Sequence, residues 1–96
     1  MTADTRLPGY DLARPTPADA TAFLARAMSA DQAVRTWLRA CREAGVAPHA
    51  AMGVDDMLAA ARRLAAEPDV AGVIGNALVI RLRTYRLLSQ AQGAGR

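Results

Sequence analysis

Val73 to Leu88 reads VIGNALVIRLRTYRLL, and the fold of the whole chain turns on whether this stretch is a β-hairpin or a helix. Gly75-Asn76 is a usable two-residue turn, and Ile80 to Tyr85 alternates roughly as a half-buried strand does. A lone hairpin is marginal in water, however, and nothing else in the chain offers a third strand. Under a helical period, Val70, Ile74, Ala77, Leu78, Leu82, Tyr85 and Leu88 fall on one broad face. The stretch therefore reads as part of a long helix over residues 69–90. Gly72 and Gly75 are poor helix formers and Asn76 has the chemistry of an N-cap, so the reading leaves room for a bend or break near Gly75.

Taken as a helix, the segment carries a second apolar stripe, Val73, Ile80 and Leu87, spaced by seven and separate from the first. Only a narrow sector holding Asn76, Arg83, Arg86 and Gln90 suits water. A helix this apolar is either central in its domain or shared with another subunit. Two arrangements satisfy it: a homodimer or other protein interface built on Val73, Ile80 and Leu87, or a monomer in which the other helices and the N-terminal segment cover both stripes. Arg81 falls between Ile74, Tyr85 and Leu88, which predicts either a snorkelling guanidinium or an ion pair with Asp19, Asp31 or an acid of a partner chain.

Outward from this helix, the chain of 96 residues has the length of one domain. Hydrophobic residues make up 52% and aromatics only 4%, so the core must be built of Ala, Leu, Val and Met, a composition that favours helix. Residues 1–15 read as an extended arm, because Pro8-Gly9 and Pro15 resist helix while Leu7, Tyr10 and Leu12 offer isolated anchors. Thr16-Pro17-Ala18-Asp19 opens a first helix over 17–28 with a hydroxyl N-cap, a proline at the first position and a carboxylate near the positive end of the dipole. Ser29-Ala30-Asp31-Gln32 is a capping box that starts a second helix over 30–44, ended by Gly45. That helix is expected to bury Val34, Trp37, Leu38, Cys41 and Ala44. A connector, GVAPHAAMG, with a helical turn at Pro48, precedes a third helix over 54–66 that Glu67-Pro68 terminates. The expected architecture is all-α, a small bundle of four helices over residues 16–90 with a disordered tail at 91–96.

Charge is placed unevenly. The net charge is +3, all 12 basic residues are arginine, and no acid follows Asp69, while Arg81, Arg83, Arg86 and Arg96 do. Arg35, Arg39 and Arg42 form a stripe on the second helix, and together with Arg83 and Arg86 they are the anion-contact candidates. One cysteine excludes an internal disulfide and fits a reducing compartment. No apolar run reaches the ~20 residues a bilayer needs, and the N-terminus lacks a signal-peptide core, so the expectation is a cytoplasmic protein with no membrane partner.

Catalytic chemistry finds little support. His49 is the only histidine, Cys41 is expected on a buried face, and Asp55-Asp56 point about 100 degrees apart on a helix, a poor arrangement for one metal ion. No phosphate loop, metal-spaced cluster or triad stands out, so no catalytic, cofactor or metal residue is assigned and the chain reads as a non-enzyme. Two binding functions remain. The first is a small interaction module, an adaptor, regulator or assembly subunit that dimerises or binds a protein through its last helix. The alternative is a helix-turn-helix-like DNA-binding regulator, in which Ala44 to Pro48 forms the turn and the arginine-rich surface grips phosphates. The would-be recognition element, Pro48 to Met52, has no Arg, Asn or Gln to reach base edges.

Overall fold

The computed structural model describes residues 14–94, so the expected N-terminal arm falls almost wholly outside the described residues, as do the last two. The fold is all-α, with four helices: α1 (Pro17–Leu24), α2 (Ala30–Ala44), α3 (Val54–Ala65) and α4 (Val70–Ala94). No strand occurs among the described residues, and VIGNALVIRLRTYRLL is helical throughout, without a break at Gly75 or an N-cap at Asn76.

Local signals place the helix starts. Thr16 caps α1 in a full capping box: its hydroxyl accepts from the Asp19 N–H at 3.2 Å while the Asp19 carboxylate accepts from the Thr16 N–H at 2.9 Å. Ser29 and Gln32 repeat the device on α2. α2 ends in a Schellman motif, with Gly45 at φ 74°, its N–H on the Arg42 carbonyl and the Val46 N–H on the Cys41 carbonyl. α1 stops at Leu24, four residues short of the expected end, because the chain tightens there into i→i+3 bonds, Arg26 to Phe23 and Ala27 to Leu24, before entering the Ser29 cap. The connector forms only a turn at residues 50 and 51, with no helical turn starting at Pro48. α4 continues to Ala94, past its expected end and into the segment read as tail.

Helices α1, α2 and α3 pack in sequence, α4 packs most extensively on α3, and α1 reaches α4 to close the bundle. The core comprises Ala20 and Leu24 of α1, Ala33, Trp37, Ala40 and Cys41 of α2, Met52, Met57, Leu58, Ala60, Ala61 and Leu64 of the connector and α3, and Ala71, Leu78 and Leu82 of α4. Of the α2 residues expected inside, Trp37 and Cys41 are buried and Ala44 is half-buried, whereas Val34 is 45% exposed and Leu38 41% exposed. The buried seam runs instead through the smaller Ala33 and Ala40 beside Trp37 and Cys41. Small residues there let neighbouring helices come close, which the hydrophobicity of Val34 and Leu38 could not anticipate.

Gly72 and Gly75 have a packing role. A Cβ on Gly75 would lie 2.6 Å from the carbonyl carbon and the Cβ of Leu64, and one on Gly72 would overlap the Glu67 carbonyl oxygen. Both glycines are buried. They form a notch into which the C-terminal end of α3 sets, and the resulting helix contact outweighs glycine's poor helix propensity of ~1 kcal/mol.

Candidate interaction surface on α4

The wall of α4 that meets the core is formed by Ala71, Gly72, Gly75, Leu78 and Leu82, flanked by the half-buried Ile74 and Val79. Directly opposite on the helical wheel lie Val73, Ile80 and Leu87. Their exposures are 69%, 65% and 63%, so within one chain the described residues leave this stripe in water. Ala77, Thr84 and Ala91 share the same outward face and are exposed too. Together the six positions follow a spacing of four and three residues from Val73 to Ala91, a heptad seam that alternates large and small side chains. Ala77, expected on the core-facing stripe, lies instead on this outward face, and Val70, expected on that stripe too, is 46% exposed. Ile80, Arg83, Thr84 and Leu87 line a shallow depression of about 190 Å³ on this face.

Cations border the seam on both sides. Arg83 lies along one edge, and Arg81 along the other. Arg81 is exposed and has no carboxylate partner among the described residues, so of the two expected arrangements the guanidinium reaches the surface rather than pairing with Asp19 or Asp31. Its guanidinium sits 4.9 Å from the centroid of the Phe23 ring, and Arg26 sits 5.2 Å from the same centroid. The Phe23 ring thus gives the exposed Arg81 guanidinium a cation–π partner. Phe23, Arg26, Ile74, Ala77 and Arg81 line a cleft of about 300 Å³ between α1 and α4. The cleft exists because α1 meets α4 there, which nothing in the local sequence of either helix reveals.

The remaining anion-contact candidates are distributed differently. Arg86 donates to the Asp55 carboxylate at 3.1 Å, tying α4 to the first turn of α3. Arg35, Arg39 and Arg42 are exposed on α2. Arg35 pairs with Asp31 at 2.9 Å, and with Arg39 it lines a depression of about 550 Å³ that also holds Met28, Gln32, Asp69 and Val70. Arg42 does not join that depression. The structure therefore does not gather the five arginines into one patch.

Groups suited to catalysis stay apart from these surfaces. Cys41 is fully buried, and burial, helped by the nearby Asp56 charge, pushes its thiol pKa up. His49 lies exposed in the connector, where its Nδ1 accepts from the Ala51 N–H at 3.2 Å. Among the described residues no three His, Cys, Asp or Glu side chains are placed to hold a metal ion, and no helix is long and apolar enough to cross a membrane. Comparison with protein-family models, with curated proteins and with solved structures gave no match to this chain.

Proposed function

We propose that this protein is a small helical interaction module, an adaptor, regulator or assembly subunit, that acts by contact rather than by chemistry and in the cytoplasm. Its working surface is the outward face of α4. The carrying observation is the exposure of Val73, Ile80 and Leu87, each more than three-fifths in water, on a helix whose opposite wall is already packed. Burying one such side chain is worth about 1.5–3 kcal/mol, so the stripe forgoes several kcal/mol until something covers it. A homodimer or a different protein can supply that cover.

Size-exclusion chromatography with light scattering, on the protein alone and with a DNA fragment, separates this reading from its alternative. Protein association that Ile80→Glu/Leu87→Glu abolishes supports the module. A monomer that binds DNA, with affinity lost when Arg35, Arg39 and Arg42 are replaced, supports the DNA-binding regulator instead, and each phosphate contact removed then lowers the salt slope by roughly one unit. The DNA-binding reading has the weaker geometry: Pro48 to Met52 forms no helix that could enter a groove, and the arginines are dispersed.

A further inference from the structure

The occupant of the seam can be narrowed by charge. α4 contains no acidic residue, and the charges that border its seam are Arg81 on one edge and Arg83 on the other, neither paired with a carboxylate among the described residues. Suppose a second copy docked its own α4 seam here. In a parallel pair the two edges face each other, so Arg81 meets Arg83; in an antiparallel pair like edges meet, so Arg81 meets Arg81 and Arg83 meets Arg83. Every charged pairing across a symmetric α4–α4 contact is thus cation on cation, and Arg26, sharing the Phe23 ring with Arg81, adds a second positive charge on the Arg81 side. Like-charge juxtaposition of this kind rejects a partner even where the apolar surfaces match.

Resting on the docking reading above, we propose that the seam Val73-Ala77-Ile80-Thr84-Leu87 receives an amphipathic helix of a different protein, whose apolar stripe is flanked by Asp or Glu side chains. Those carboxylates meet Arg81 and Arg26 on one edge and Arg83 on the other. The alternation of large with small residues is the shape that takes another helix: knobs from the partner enter the hollows over Ala77 and Thr84. A phosphate backbone would engage the arginines and leave Val73, Ile80 and Leu87 in water. An anionic lipid surface would engage both, but an inserting face carries bulky side chains and interfacial aromatics, and this one interleaves Ala, Thr and Ala with its larger residues and has no aromatic.

The test uses the full chain and two synthetic three-heptad helices, both with Leu at the seam positions, one with Glu and the other with Lys at the flanks, followed by fluorescence anisotropy. The Glu-flanked helix binds, the Lys-flanked one binds about tenfold more weakly or not at all, and the difference shrinks as salt approaches ~1 M. Arg81→Glu/Arg83→Glu inverts the preference; both positions are exposed, and an unchanged circular dichroism melt verifies the fold. Equal binding of the two helices overturns charge selection and with it the acidic partner. A dimer of the protein alone that Ile80→Glu/Leu87→Glu dissociates, and that neither helix displaces, makes the occupant a second copy, which overturns this proposal and keeps the docking reading. Capture by phosphatidylserine vesicles that requires Ile80 and Leu87, with neither helix bound, overturns it in favour of a lipid surface. No association with helix, copy or vesicle removes both the proposal and the docking reading.

Discussion

Trp37 brings the largest side chain of α2 into the core at 2% exposure, yet its indole Nε1 finds no hydrogen-bond partner among the described residues. Packing and polarity pull in opposite directions at this residue. Removing the whole ring in Trp37→Ala leaves a cavity and costs about 3–5 kcal/mol, comparable with the entire stability of a small domain. Trp37→Phe keeps most of the packing and deletes a buried donor whose burial unpaired costs ~1–3 kcal/mol, so it destabilises by less than half as much; urea unfolding of the two variants measures the difference. Cys41, one residue type smaller in consequence, gives a pH signature. Its thiol is held protonated by burial in the folded state, while in the unfolded chain it ionises near a pKa of ~8.5. The stability associated with the neutral thiol is complete below that value and declines as pH rises above it, because only the unfolded state then releases the proton. Cys41→Ala should remove that alkaline decline, and native Cys41 should react with a thiol reagent only as fast as the domain opens.

Among the elements, the α3–α4 pair depends on the notch at Gly72 and Gly75. Gly75→Ala raises helix propensity by ~1 kcal/mol and would stabilise an isolated helix. In the folded chain the new Cβ meets backbone and Cβ of Leu64 at 2.6 Å, and backbone cannot rotate away as a flexible side chain would. The substitution should therefore lower the melting temperature, with a net loss of about 1–3 kcal/mol, the range seen for overpacked cores. The same residues explain what sequence could and could not reveal. Helix starts were legible because Thr16, Ser29 and their partners three residues later act within one turn. The nature of VIGNALVIRLRTYRLL as helix followed from its period and from the lack of strands to pair with. Continuity through Gly75 was not legible, since the reason for glycine there is the end of α3, distant in local geometry though close in space. For α2, Trp37 and Cys41 are buried as expected, but Ala33 and Ala40 complete the seam in place of Val34 and Leu38, because the closeness of neighbouring helices selects small side chains. On the surface, Val73, Ile80 and Leu87 stand apart from the core-facing stripe as their spacing implies, but Ala77 belongs with them rather than with the core, and the Phe23–Arg26–Arg81 cleft required the meeting of α1 and α4.

At the scale of the whole molecule, α4 divides the protein into a folded side and an outward side. Ile80→Glu/Leu87→Glu should leave the thermal unfolding of the monomer within ~0.5 kcal/mol of the parent, because both positions stand in water. Leu78→Glu or Leu82→Glu, two positions fully buried on the other wall, should abolish folding, since a carboxylate there has no partner; circular dichroism melts at low protein concentration distinguish the two results. The glycine notch sharpens this division. It clamps the first turns of α4 against α3 so closely that neither position admits a side chain, while Val73 and Asn76, neighbours in sequence, point away from the notch. The helix is consequently divided into sectors that differ in their tolerance of substitution. Residues that a binding partner would sense can be exchanged one by one at little thermodynamic risk, and a lineage of such proteins could acquire new addressees by rewriting Val73, Ala77, Ile80, Thr84 and Leu87 while inheriting the glycines unchanged.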